Sequence, residues 1–134
     1  MSKLPMEVPN SSSLPPQFWD GVAQFNAQEF YACHDTLEEL WTEAVEPDRT
    51  FYQGILQLAV ALYHLSNGNW RGSVTLLGES LGRLATYSPD YEGVNVESLR
   101  AQSRTLLQQL QDAGPDRVGD YGGDRWAFAI PLRP

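Results

Sequence analysis

Residues 50–70 contain no Asp, Glu, Lys or Arg. At 100° per residue, their apolar side chains point in nearly every direction around a helix, which is typical of a helix enclosed by others. Their polar side chains are restricted to one strip, because Gln53, Gln57 and His64 lie within about 40° of one another. The segment therefore predicts a central, buried helix over residues 49–67 that carries a single polar strip.

Further helices are predicted on both sides of this segment, because apolar residues recur at helical spacing between prolines, glycines and capping residues. They cover residues 16–25, 27–45, 70–87 and 96–112. Asp48 is expected to cap the central helix. Gly72, Gly78 and Gly82 fall within the helix at 70–87 and are expected to let a neighbouring backbone approach closely. The predicted fold class is all-α, a compact bundle of about five helices.

The chain is long enough for one hydrophobic core, and its composition divides it into three parts. Residues 1–14 are expected to form a flexible leader. Residues 15–114 are expected to form a single helical domain. Residues 115–134 are expected to form a loop and an extended tail packed on the bundle, because Trp126, Phe128 and Ile130 alternate with alanines.

A weak internal repeat relates two parts of the predicted bundle. After a shift of 40 residues, FNAQEFYACHDTLEEL at 25–40 aligns with LSNGNWRGSVTLLGES at 65–80. Such helix-turn-helix units resemble tetratricopeptide-type hairpins, but two units are too few for a free-standing solenoid and predict a closed bundle. In this alignment His34 falls opposite Val74, and Glu38 falls opposite Gly78. Because the second unit has an apolar or absent side chain at these positions, His34 and Glu38 are expected to face inward.

The charge and composition of the chain indicate which binding partners and which cellular compartment to expect. The formal net charge is −8 with scattered acidic residues, which is not typical of proteins that bind nucleic acid or anionic membranes. The longest apolar run, LAVALY, is far shorter than the roughly 20 residues that cross a bilayer. With Cys33 as the one cysteine and no secretion signal recognised, a reducing, cytoplasmic location is expected. A small molecule, a protein partner or a homodimer remains compatible with the sequence.

A second polar strip lies in FYACHDTLEELW at 30–41, where His34 and Glu38 are one helical turn apart. Helices joined by a short turn pack antiparallel, so the two strips are expected to meet in a polar centre. Asp35 and Glu39 are expected to face solvent. The centre is expected to contain His34, Glu38, Trp41, Arg49, Gln53, Gln57 and His64.

Three interpretations of this centre are compatible with the residues. A hydrogen-bonded network would fix the register of the helices. A small-ligand pocket would open beside Trp41 and Gln57. A metal site would use His34, Glu38 and His64, the two-histidine, one-carboxylate set that suits Zn²⁺, Fe²⁺ or Mn²⁺. The leading hypothesis is a binding or interaction module of unknown ligand, and the alternative is a metal-dependent hydrolase.

The segments FNAQEFYACHDTLEELW and RTFYQGILQLAVALYHLSNGNWRGS, joined through EPD, resemble the family catalogued as domain of unknown function 309. The resemblance covers residues 22–87 and implies a compact all-helical fold. The family has at times been labelled a probable metal-dependent hydrolase, and Asp35 stands where its members more often have glutamate. The characteristic residues that the resemblance implies are His34, Glu38, Trp41, Arg49, Gln53, Gly54, Gln57, His64 and Asn69.

Overall fold

The computed structural model describes residues 12–121 and 128–132. The helices are α1 (Pro16–Asn26), α2 (Phe30–Glu43), α3 (Asp48–Ser66), α4 (Trp70–Leu84) and α5 (Val96–Ala113), followed by a 3₁₀ segment at Pro115–Tyr121. Two short strands, β1 (Asp90–Tyr91) and β2 (Val94–Asn95), form a hairpin ahead of α5. The predicted all-α class is confirmed. No helix within the described ranges combines the length and hydropathy needed to cross a membrane.

Helix α3 is the centre of the bundle. It packs against α2 on one side and α4 on the other, while α1 packs on α2 and α5 on α4. Phe51, Ile55, Leu58 and Leu62 are completely buried along it. Because nearly every direction around α3 meets another helix, a charged side chain there would lose its hydration without a partner. This explains why the central segment lacks Asp, Glu, Lys and Arg.

Helix α2 begins three residues later than its apolar pattern predicts. Gln28 adopts a left-handed backbone conformation with φ of 63°, and this ends the turn after α1 before a new helix can begin. The buried residues of α2 are then Phe30, Cys33 and Leu37. Position 34 and position 38 each follow one of them in sequence, so they lie at the edge of the buried strip rather than at its centre.

Helices α3 and α4 approach closely at Gly54. A Cβ atom at this position would lie 2.7 Å from Leu84 Cδ2, and Ser80 Oγ donates a hydrogen bond of 2.7 Å to the Gly54 carbonyl. The expectation that Gly78 and Gly82 provide such an approach is wrong, because both are exposed and a Cβ there would meet no atom within 4 Å. They lie on the solvent face of α4.

The N-terminus of α3 is capped by Glu46 rather than Asp48. The Thr50 backbone N–H and hydroxyl donate to the two Glu46 carboxylate oxygens at 2.8 Å and 2.6 Å. The hydroxyl bond, then the amide bond, hold the pKa of Glu46 below its usual value. Asp48 is instead the first residue of α3, and its carboxylate accepts a hydrogen bond from the Tyr91 hydroxyl of β1.

Two segments outside the helices are tied to the bundle. Leu14 belongs to the core, and the Ser13 amide and hydroxyl both donate to Glu92, so these residues of the predicted leader are fixed. In the tail, Phe128 and Ile130 are buried, and the Ile130 N–H donates to Asn26 Oδ1 at 2.8 Å. The remaining leader, residues 1–11, and Trp126 lie outside the described residues.

Candidate functional site

His34 lies on α2 between two carboxylates. Its Nδ1 is 3.2 Å from Asp35 Oδ1 and its Nε2 is 3.4 Å from Glu38 Oε2. The imidazole is half-buried, whereas 58% of the Glu38 side chain is exposed. The expectation that both face inward is therefore wrong for Glu38. At the edge of the buried strip, the carboxylate reaches water and avoids the desolvation that a central position would impose.

His64 is held at the end of α3 by the cap of α4. The Asn69 side-chain oxygen accepts from the Gly72 N–H at 2.9 Å, so its amide nitrogen faces His64 Nδ1 at 3.3 Å. Because that nitrogen can only donate, Nδ1 is the acceptor and the imidazole proton is assigned to Nε2. A Cβ at position 72 would lie 2.8 Å from His64 Cδ2, so glycine is needed beside the ring.

Gln57 makes its hydrogen bonds to α4. The side chain is buried, its Nε2 donates to Glu79 Oε1 at 3.0 Å, and its Oε1 accepts from Arg83 Nε at 2.9 Å. Neither partner was predicted as part of the site, although their spacing of four residues places both on one face of α4. Gln53, one turn earlier on α3, is half-buried. At Gln57, the polar strip of α3 therefore forms its hydrogen bonds with α4 and not with α2.

Trp41 and Arg49 form a stacked pair at the turn between α2 and α3. The Arg49 Cζ atom lies 4.2 Å from the centroid of the Trp41 ring, and Arg49 Nε donates to the Trp41 carbonyl at 3.3 Å. This is the geometry of a cation–π contact, which favours arginine because its planar group lies flat on the ring. The buried Trp41 Nε1 has no hydrogen-bond partner among the described residues.

Two exposed tyrosines lie next to the two imidazoles. The rings of Tyr31 on α2 and Tyr63 on α3 pack edge to face with centroids 5.4 Å apart. The Tyr31 centroid is 5.8 Å from that of His34, and the Tyr63 centroid is 6.2 Å from that of His64. We call Tyr31, His34, Tyr63 and His64 the aromatic–imidazole face. Tyr31 was not predicted, although its i, i+3 spacing to His34 was a usable signal.

A cavity of about 410 Å³ opens beside the tyrosines. Tyr31 and Tyr63 form an aromatic wall of this cavity, and the residues that line it are Gln28, Glu29, Phe30, Tyr31, Ala32, Tyr63 and Ser66. A second cavity of about 350 Å³ lies near the C-terminal end of α2, among Glu39, Leu40, Glu43, Val45 and Asp48. Neither Trp41 nor Gln57 lines this second cavity, so it differs from the cleft expected beside those two residues.

The three-ligand metal site suggested by the sequence is not formed in this structure. Residues 12–121 and 128–132 contain no group of three His, Cys, Asp or Glu side chains that could hold a metal ion. His34 and Glu38 are paired, but His64 contacts the Asn69 amide and Gly72. The predicted polar centre is thus divided into separate contacts: His34 with its carboxylates, Gln57 with α4, His64 with the α4 cap, and Arg49 with Trp41.

Replacing Gln57 with methionine is expected to lower the free energy of unfolding by about 1–2 kcal/mol. Methionine keeps a similar volume but removes the hydrogen bonds to Glu79 and Arg83, which then rely on water. Gln108→Met is the matched control, because the exposed Gln108 also donates to a carboxylate, that of Asp112 at 2.9 Å. We expect less than about 0.5 kcal/mol there. Equal losses in urea denaturation would contradict the buried role of Gln57.

The thiol of Cys33 is expected to resist modification in the folded protein. Cys33 is completely buried, and burial raises its pKa to about 12, so almost no thiolate forms near neutral pH. A disulfide reagent such as dithionitrobenzoate should react only after unfolding. A Cys33→Ala, Ala101→Cys variant, with its thiol at an exposed position of α5, should react in the folded state. Rapid native reaction of Cys33 would contradict its assignment to the core.

Two curated proteins are similar to this chain. One is "Uncharacterized protein YpuF" of Bacillus subtilis (strain 168), 33% identical over 99 residues, which are 72% of this chain and 54% of that protein. The other is an "Uncharacterized protein" of Aquifex aeolicus (strain VF5), 26% identical over 95 residues, which are 70% of this chain and 28% of that protein. The chain thus spans about half the length of the first relative and less of the second.

A family model covers the part of the chain that carries the site. It extends from α1 into α4 and so includes all four residues of the aromatic–imidazole face. Residues 18–76 match the family described as "Domain of unknown function (DUF309)", which confirms the resemblance found in the sequence.

Proposed function

We propose that the chain is a small helical binding module whose binding surface is the aromatic–imidazole face. The observation that supports this proposal is the exposed pair Tyr31 and Tyr63, with 58% and 37% of their surfaces in solvent. Large aromatic side chains are costly to leave in water, and they are enriched in binding surfaces. Here the two rings line a cavity and lie beside two half-buried imidazoles.

The polar groups around the tyrosines can orient a bound molecule. His64 Nε2 is assigned the imidazole proton, because Nδ1 accepts from Asn69, and His64 adjoins Tyr63 in the chain. Glu29, Gln28 and Ser66 are the polar residues among those that line the cavity. An apolar wall with a few polar groups is the usual composition of a ligand site, and about 410 Å³ lies within the common range of about 300–1,000 Å³. A metal-dependent hydrolase would need a ligand set that the described side chains do not assemble, so we do not propose it.

A fragment screen by NMR tests this proposal. Neutral, cationic and anionic fragments with one aromatic ring are added to the labelled protein, and amide and ring signals are followed. Fragments that bind should shift the signals of Tyr31, His34, Tyr63 and His64. Val45→Ala, which removes an exposed apolar side chain outside this face, should leave their affinities unchanged. Another cavity, of about 350 Å³, is lined by Gln102 and Leu106 of α5, and shifts confined to it would contradict the proposal.

A further inference from the structure

We infer that the cavity beside Tyr31 and Tyr63 takes the arginine or lysine side chain of a basic segment in a partner protein. This inference rests on the proposed function and names the chemistry of the ligand. Three features support it: the aromatic wall of the cavity, the charge around the cavity and the contact by which the chain already binds one guanidinium group.

The charge around the cavity is negative and largely uncompensated. Asp35 and Glu38 contact His34, whose ring centroid lies 5.8 Å from that of Tyr31, and residues 28–48 contain no lysine or arginine. Within the described parts of the chain, none of these carboxylates forms an ion pair with an arginine or lysine; the pairs that occur involve His34. Glu29 lines the cavity itself.

The aromatic wall of the cavity also favours a cation. A cation placed over a tyrosine ring is attracted by the negative face of the ring, and nearby carboxylates add to that attraction. Tyr31 and Tyr63 present their rings at an angle of 63° to each other. A guanidinium or ammonium group entering the cavity would therefore meet an aromatic wall beside Glu29, which is one of the lining residues. An acidic or neutral polar ligand would meet the same wall without the favourable charge.

The same helix already binds a guanidinium group in this way. At the opposite end of α2, the Arg49 Cζ atom lies 4.2 Å from the Trp41 ring centroid, and Arg49 Nε also donates to the Trp41 carbonyl. Among the described residues, Arg49 forms no ion pair with Asp35 or Glu38, whose contacts are with His34. A basic side chain of a partner protein would pack against Tyr31 and Tyr63 as Arg49 packs against Trp41 within this chain.

Four heptapeptide mixtures provide the test, each with a fixed central residue and random neutral residues elsewhere. The central residue is arginine, lysine, citrulline or glutamate. Citrulline keeps the shape of arginine without its charge. NMR titration of the full chain should give affinities for arginine and lysine at least about threefold above citrulline, with glutamate weakest. Added salt should weaken the basic mixtures because it screens charges over about 10 Å at 0.1 M.

Variants separate the inference from the proposed function. Tyr63→Ala and Glu29→Gln should each weaken the basic mixtures by about twofold or more. Glu97→Gln, an equal charge change at an exposed position of α5, should not. If citrulline binds at this face as well as arginine, the inference fails and the binding module stands. If no mixture binds while fragments do, only the inference fails. If neither peptides nor fragments shift this face, both fail.

Discussion

Phe51→Ala is expected to lower the free energy of unfolding by about 3–5 kcal/mol. The Phe51 ring is completely buried, and its centroid lies 4.6 Å from that of Tyr91, 5.4 Å from Tyr87 and 5.8 Å from Phe18. It therefore joins α1, α3 and the β1 hairpin in one cluster. Alanine would leave a cavity among rings that cannot all move inward, and each would lose contact area.

Urea denaturation followed by circular dichroism measures this effect. Phe51→Leu is the conservative control, because it keeps most of the apolar volume and should cost clearly less than alanine. Tyr91 also donates to Asp48, so this cluster fixes the first turn of α3. A loss below about 1.5 kcal/mol for Phe51→Ala would show that the cluster is not part of the core that positions α3.

Gly54→Val is expected to lower the free energy of unfolding by about 3 kcal/mol. The added Cβ would lie 2.7 Å from Leu84 Cδ2 and 2.9 Å from Leu84 Cγ, and the two methyl groups would need further space. Leu84 is buried and has little freedom to move. Helices α3 and α4 would have to separate, which would also strain the bond from Ser80 to the Gly54 carbonyl.

Two controls identify the cause of the Gly54 effect. Gly78→Ala, at an exposed helical position with open space, should stabilise the protein by about 0.5–1 kcal/mol. Leu84→Ala should make the Gly54→Val change less costly, with a coupling of at least about 1 kcal/mol in a double-mutant cycle. Strictly additive losses would contradict the direct contact between these two residues.

The fold could be predicted from the sequence because the strongest pattern in the sequence, a long segment without charged residues, has a direct physical cause. The uncharged segment 50–70 has to be enclosed, and α3 is the helix that the others surround. The boundaries were less predictable where single residues decide them. Gln28 ends a turn through a positive φ that its residue type does not indicate, and Glu46 caps α3 from a position before Pro47. Among the glycines, spacing could not separate Gly54, which contacts Leu84, from exposed Gly78.

The site was predicted less well than the fold. Helical spacing correctly pairs His34 with Glu38, since both residues lie on one helix. Helical spacing does not indicate which neighbouring helix the polar strip of α3 contacts. In the structure, Gln57 forms hydrogen bonds with Glu79 and Arg83 on α4. The cavity was missed for a related reason. Tyr31 and Tyr63 lie on different helices, and their contact depends on the packing of α2 against α3.

The central claim, that the aromatic–imidazole face binds ligands, is tested most directly by a Tyr31→Ala, Tyr63→Ala double variant. Both side chains are exposed, so their loss should change the free energy of unfolding by less than about 1 kcal/mol. The affinity for the fragments that bind the wild-type face should fall at least about tenfold, because both walls of the cavity are removed. Unchanged fragment affinity in a folded double variant would contradict the claim.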